Sequence, residues 1–139
     1  MDIYFHFEEI EAFEIAGHNI EKVLIRIAKD HKYKISGINF IFCSDGYLLK
    51  INQEYLNHDY YTDIITFDNS EEKKVIESDI FISTDRVTEN AAENKVDFYQ
   101  ELFRVMIHGM LHLVGFKDKS FDDKKIMTEK ENAYLSLLH

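Results

Sequence analysis

Between Leu102 and Val114 the chain is apolar on nearly every side: Leu102, Val105, Met106, Ile107, Met110, Leu111, Leu113 and Val114 leave little room for water. A helix with that pattern is buried, so the rest of the fold must be arranged around it. Two histidines, His108 and His112, sit four residues apart inside this run. On a helix that spacing puts both imidazoles on one face, one turn above the other. A buried polar group without a partner costs about 1–3 kcal/mol, and one shared metal ion satisfies two imidazoles at once. Satisfied polar residues at a helix surface are the plainer alternative.

Gly115 follows as a helix C-cap, where the lack of a Cβ lets the backbone turn left-handed. The chain can then swing back, so that Asp118, six residues past His112, reaches the same point. Two imidazoles and a carboxylate with one face open form the ligand set of a catalytic metal site, and they imply a small metal-dependent hydrolase. A solvated loop aspartate is the competing reading of Asp118. In peptidases with H-E-x-x-H the residue after the first histidine is the general base. That place is Gly109 here, which disfavours such a peptidase. The metal must then supply most of the activation, as Zn²⁺ does when it lowers the pKa of its water to about 7.

Bulk properties limit the rest. At 139 residues the expectation is one domain spanning 1–139 with a real core. The 45% hydrophobic content and 14% aromatics, without a low-complexity tract, exclude disorder. A single cysteine, Cys43, allows no disulfide framework and fits a reducing compartment. M-D-I-Y-F-H-F-E-E-I lacks the basic n-region of a signal peptide, and no apolar run nears the roughly 20 residues that span a bilayer. A cytoplasmic protein without membrane attachment is expected. Its net charge of -10 argues against broad nucleic-acid binding through basic surface, though not against a local patch.

Periodicity predicts strands over 3–7, 38–43, 64–67 and 79–83. Helices are expected over 19–30, 45–55, from Ser83 or Thr84 to about 94, from Asp97 through the histidines, and over 122–137 after a Ser120 cap. His6 reads as a strand residue facing solvent or a partner. Asp97 with Gln100 has the form of a capping box. Lys22, Arg26 and Lys29 share one helix side, with Lys32 and Lys34 following. These five read first as a solvated face and alternatively as a phosphate contact. E-E-K-K at 71–74 reads as an exposed turn. The order βαβαββααα implies an α+β fold: one small mixed four-stranded sheet, about five flanking helices, and the metal site at the end of the buried helix.

H-G-M-L-H-L-V-G-F at 108–116 and Y-T-D-I-I-T-F at 61–67 resemble the YbeY family of bacterial rRNA-maturation endoribonucleases. The family pattern is H-G-x-L-H-L-x-G-Y-D-H, preceded by P-T-D-V-L-S-F and a G-D-I strand, here Ser78, Asp79 and Ile80. Asn52, Tyr55 and Asp59 match the family's L-N-x-x-Y-R-x-x-D run, and the likeness covers roughly 38–118. It implies a zinc-type endoribonuclease of single-stranded RNA, acting in 16S rRNA 3′-end maturation and ribosome quality control with ribosomal partners. Attack by metal-bound hydroxide and metal-assisted attack by the ribose 2′-OH both remain open. So do a ribosome-associated RNA-binding protein with a structural metal and a metal hydrolase of another substrate.

Two departures from that pattern bear on chemistry. Asp118 stands where the family has its third histidine, with Lys117 in place of the usual aspartate. An aspartate ligand lowers the site charge from +2 to +1 and makes Mn²⁺ more acceptable beside Zn²⁺. Leu56 stands where the family has arginine, moving phosphate binding to Arg86, Arg104, Lys117 or Lys119. Arg104, one turn before His108, joins His108 and His112 as a catalytic candidate; an ion pair with Glu101 is its alternative. Thr62 and Asp63, with Lys117 and Lys119, are the substrate-binding candidates, and Asp63 can also orient a metal ligand. Turn formation explains Thr62 and Asp63 nearly as well. His58 reads as an exposed loop histidine, or as a general acid. His18, His31 and His139 have no neighbours in sequence that suggest chemistry.

Overall fold

The computed structural model describes residues 2–15 and 19–138, which places His18 and His139 outside the described residues. Four strands form one sheet: β1 (Ile3–Glu8), β2 (Lys34–Cys43), β3 (Ile64–Asp68) and β4 (Val75–Ser83), in the order β1-β2-β4-β3. β1, β2 and β4 run parallel, and β3 returns antiparallel along β4 as an edge strand. The helices are α1 (Ile20–Asp30), α2 (Asp45–Leu56), α3 (Thr84–Asn94), α4 (Phe98–Leu113) and α5 (Phe121–Leu135), closed by a 3₁₀ turn at Ser136–Leu138. This is the mixed-sheet α+β architecture that the alternation of apolar runs implied.

The two faces of the sheet carry different loads. Along the strands Phe5, Phe40 and Ile80 share one row and Phe7, Phe42 and Ile82 the next. That face is covered by α1 and α4 in the main core. Period-2 alternation sends Cys43, Ile65, Phe67 and Phe81 to the other face, where they meet Tyr47, Leu48 and Ile51 of α2. α4 is the central element: ten of its residues are buried, including Leu102, Met106, Met110 and Leu111. No helix among the described residues is long and apolar enough to cross a membrane.

Two strands start earlier than periodicity suggested. Lys34 and Ile35 pair with Val75 and Ile76, and after an irregularity at Ser36 the ladder resumes with Gly37 opposite Glu77. Neither K-I-S-G nor V-I-E-S alternates cleanly, so only parallel pairing makes these residues strand; tertiary context overrides the local signal. The last helix stops at Leu135, two residues before the expected end, because its final residues tighten into the 3₁₀ turn.

The helix boundaries follow capping chemistry. Ser44 accepts from the Tyr47 N–H and Ser83 from the Arg86 N–H. Asp97 accepts from the Gln100 N–H at 2.7 Å, one arm of the expected box. The complete reciprocal box lies at Ser120 and Asp123 instead. α4 ends in a Schellman turn: the Phe116 N–H donates to the Leu111 carbonyl and the Gly115 N–H to the His112 carbonyl, both at 3.0 Å. Gly115 takes φ +107°, a conformation that L side chains rarely adopt.

Candidate metal centre

The C-terminal half of α4 presents His108 and His112 from successive turns, and the Schellman turn brings the 116–120 segment back beside them. Three ligand atoms then face one another. His108 Nε2 and His112 Nε2 are 3.1 Å apart, and Asp118 Oδ2 lies 3.3 Å from the first and 3.2 Å from the second. Zn²⁺ bonds of about 2.0–2.1 Å in a tetrahedral shell place ligands about 3.3–3.4 Å apart, which nearly matches this triangle. Among the described residues this is the one cluster of three such groups close enough to hold a metal ion.

Protons decide whether the donors fit a cation. His108 Nδ1 lies 2.7 Å from Glu131 Oε2. An ionised carboxylate can only accept, so Nδ1 carries the hydrogen and the neutral ring turns its Nε2 lone pair toward the triangle. Glu131 is itself held by Arg104, whose guanidinium donates to Oε1 at 2.9 Å and to Asn132 Oδ1 at 2.6 Å. The donor set therefore fits a divalent ion: two imidazole nitrogens, one carboxylate oxygen, and a buried carboxylate fixing one tautomer from behind.

Electrostatics at His108 balance in one direction. Burial alone pushes its pKa down. The hydrogen bond and charge of Glu131, with the charges of Asp118 and Asp63, outweigh this and leave it above the ordinary 6.5. Asp63 shows the opposite ordering: burial lifts its carboxyl above the usual range, only partly countered by His108 and by backbone N–H groups. Cys43 is buried beneath α2 and its thiol is pushed up to about 12, which leaves it inert.

Two clefts meet at the triangle. One, of 310 Å³, is lined by Asp63, Glu101, Arg104, His108, Asp118 and Glu131 among others. The other, of 500 Å³, runs along β3 past Thr62, Thr66, Asp68, His112 and Leu113. Gly109 sets their depth. A Cβ there would lie 2.9 Å from the Ile64 side chain and 3.5 Å from both Ile80 and Thr66, so its absence lets α4 settle close onto β3 and β4.

The structure brings together most of the residues singled out from the sequence. Arg104 lines the smaller cleft, with its guanidinium engaged by Glu131 and Asn132 of α5 rather than by Glu101. Thr62 and Asp63 line the larger cleft; Thr62 Oγ1 donates to the Ile64 carbonyl at 3.4 Å, and Asp63 accepts the Ser83 N–H through its backbone carbonyl. Lys117 and Lys119 flank Asp118 with exposed side chains and line neither cleft. Arg86 is held away by both Asp45 oxygens, at 3.1 and 3.0 Å. Asn52 is buried and donates to the Tyr60 carbonyl at 2.9 Å, tying down the loop that delivers Thr62 and Asp63. His58 stays exposed against Tyr60.

Glu131 is the residue that the sequence reading missed. Its signal was present: Met127, Glu131 and Leu135 are spaced i, i+4, i+8 on α5 and all three are buried. A carboxylate on an apolar stripe needs a charged or hydrogen-bonding partner, and here it has both.

Sequence comparison places the chain as a whole. A model of the family described as endoribonuclease YbeY matches residues 5–139. The chain belongs to the YbeY family. The endoribonuclease YbeY of Cytophaga hutchinsonii is 52% identical over 134 residues, covering 96% of this chain and 94% of the relative. That of Parabacteroides distasonis is 43% identical over 138 residues, covering 99% and 96%. Among solved structures, a Thermotoga maritima protein determined in solution superposes with a TM-score of 0.69 at 28% identity, covering 96% of this chain and 88% of that one.

Proposed function

We propose that this chain is a metal-dependent endoribonuclease that cleaves single-stranded RNA, and that it acts in the cytoplasm on the 3′ end of 16S rRNA and in ribosome quality control. Family membership and the relatives' endoribonuclease names support the activity. The observation that carries the metal reading is the near-equilateral triangle of His108, His112 and Asp118 ligand atoms at 3.1–3.3 Å. Zn²⁺ is the ion this donor set favours, with Mn²⁺ acceptable because one ligand is an oxygen.

A divalent ion held there supplies Lewis acidity toward a phosphodiester and toward water. The chain's own residues do the rest. Glu131 keeps the proton on His108 Nδ1, so that imidazole stays directed at the site. Arg104 clamps Glu131 and places a cation on the cleft wall where phosphate charge grows during attack. Asp63, half-buried with a raised pKa, faces the same cleft as a carboxyl able to hold or pass a proton. Thr62 and the β3 wall limit how the strand lies against the triangle.

The test is cleavage of a short single-stranded RNA by chelator-treated protein before and after Zn²⁺ is restored. Activity that disappears with the metal, returns with it and leaves folding unchanged is the expected result. Full activity in metal-free protein, or none in the loaded protein, overturns the reading.

A further inference from the structure

The two ends of the cleft system differ in the cations they offer. At the smaller end Asp63, Glu101 and Glu131 are opposed by Arg104 alone, whose guanidinium is already committed to Glu131 and Asn132. Beyond the reacting phosphate, that end offers an RNA backbone no uncommitted cation. At the other end the larger cleft continues past Asp68 and Leu113, which it shares with a third groove of 330 Å³.

That groove is lined by Tyr33, Asp68, Glu72, Lys73 and Lys74 among others. Lys73 has no ion-pair partner among the described residues. The Lys74 ammonium sits 4.6 Å from the centroid of the Tyr33 ring. The Lys34 N–H donates to the Lys74 carbonyl at 2.8 Å, which stitches the ring-bearing segment to the lysine turn. Asp68 accepts the Ser70 N–H at 3.0 Å, so part of its charge is spent within the turn. Tyr33 is half-buried against the main core, so its ring is held in place rather than swinging in solvent. A fixed aromatic ring with one ammonium at its face and a second lysine lining the same groove supplies the parts of single-strand recognition, an aromatic for a base and cations for phosphates.

We propose that this groove is an RNA subsite on one side of the scissile bond: Lys73 and Lys74 meet backbone phosphates, Tyr33 stacks a base, and the strand reaches the triangle past Asp68 and Leu113. The inference rests on the endoribonuclease reading and adds a direction to it. The strand departs from the metal cleft toward the β4 N-terminus and does not continue past Glu101 and Glu131. The E-E-K-K turn thereby gains a purpose beyond being solvated.

The test compares Lys73→Ala/Lys74→Ala with the parent on two substrates: a dinucleotide that fills only the metal cleft, and an oligoribonucleotide of about twelve residues. The double variant should raise KM for the longer RNA about tenfold with kcat unchanged, and flatten the log–log salt dependence of binding by about 1.4. Its dinucleotide turnover and Zn²⁺ content should equal the parent's. Tyr33→Ala should weaken the longer RNA about tenfold, whereas Tyr33→Phe, which keeps the ring, should not. Both lysines are exposed, so folding is expected to survive their loss. A double variant that matches the parent on the longer RNA, in KM and in salt slope, overturns the subsite and leaves the endoribonuclease reading intact. A parent that binds and cuts neither RNA overturns both.

Discussion

The three sides of the candidate metal triangle are not held alike. His108 and His112 project from a helix buried on almost every side, and His108 is further fixed by Glu131 and Arg104. Asp118 comes from the bend beyond Gly115, with a side chain 40% exposed. The contrast separates direction from reach. Packing and a hydrogen-bonded brace aim the imidazoles, while the turn geometry alone delivers the carboxylate. Sites on helices are held more precisely than sites on loops, so the two halves should respond differently to substitution.

The largest effect expected is from removing an imidazole. His108→Ala deletes a candidate ligand and leaves Glu131 Oε2 without its imidazole partner, and it should cost more metal affinity than the roughly 10–100-fold that a lost supporting partner costs. Titration with a competing chelator measures this. Equal affinity in the parent and His108→Ala removes the metal centre. Asp118→Ala should also lose affinity, but above the pH range where His108 titrates it should hardly change the melting temperature of the metal-free protein, since a half-exposed bend residue contributes little to folding. A clear fall in that temperature breaks the proposed division between aimed and delivered ligands.

Next is the brace itself. Glu131→Gln keeps an acceptor near His108 Nδ1 but removes the charge that Arg104 and the imidazole share. Metal affinity should fall about tenfold. Breaking a buried pair at Arg104 should also destabilise the fold, by about 3 kcal/mol at most. Asp118→His sharpens the same contrast: restoring a third imidazole raises the site charge to +2 and should favour Zn²⁺ over Mn²⁺ without altering stability. An unchanged metal preference means that Asp118 is not coordinating.

A pH series gives a smaller but signed effect. The His108 pKa is raised in the fold above its ordinary 6.5. Its contribution to metal-free stability is therefore fully present below 6.5 and is lost as pH rises through the higher folded value. Metal binding must run the other way, since the imidazole has to give up its proton first. Denaturant midpoints of metal-free protein should fall across that window and chelator-competed affinity should rise. Glu131→Gln should flatten the first trend, and a trend that persists in it assigns the titration to another group.

The smallest expected change concerns how closely α4 approaches the sheet. Gly109→Ala gains about 1 kcal/mol of helix propensity. It also forces the Ile64 side chain aside from a 2.9 Å contact, at about 1–3 kcal/mol of overpacking. A net loss of about 1 kcal/mol is expected, reversed when Ile64→Val removes the methyl in the way. If Gly109→Ala is stabilising alone, the close approach does not set the cleft.

Much of this arrangement was legible in the residues. The helix periods, the Ser44, Ser83 and Ser120 caps and the His108/His112/Asp118 grouping all follow from spacing and side-chain chemistry. The early starts of β2 and β4 were not legible, because each exists only through pairing with a strand about forty residues away. Glu131 escaped for a related reason. Its partner lies 23 residues earlier on a different helix, and local pattern says only that its position is buried. Gly109 was read as a missing base, whereas its physical role, an open space above Ile64, appears only once the sheet is beneath it.

The left-handed residue at Gly115 has a consequence for how such a centre can change over time. Because the turn fixes where the backbone arrives three residues later, position 118 behaves as a socket indifferent to what is plugged into it. Swapping the side chain there alters the ion's company without rerouting the chain. Adding or deleting one residue between 113 and 118 would carry the socket out of range, however suitable its occupant.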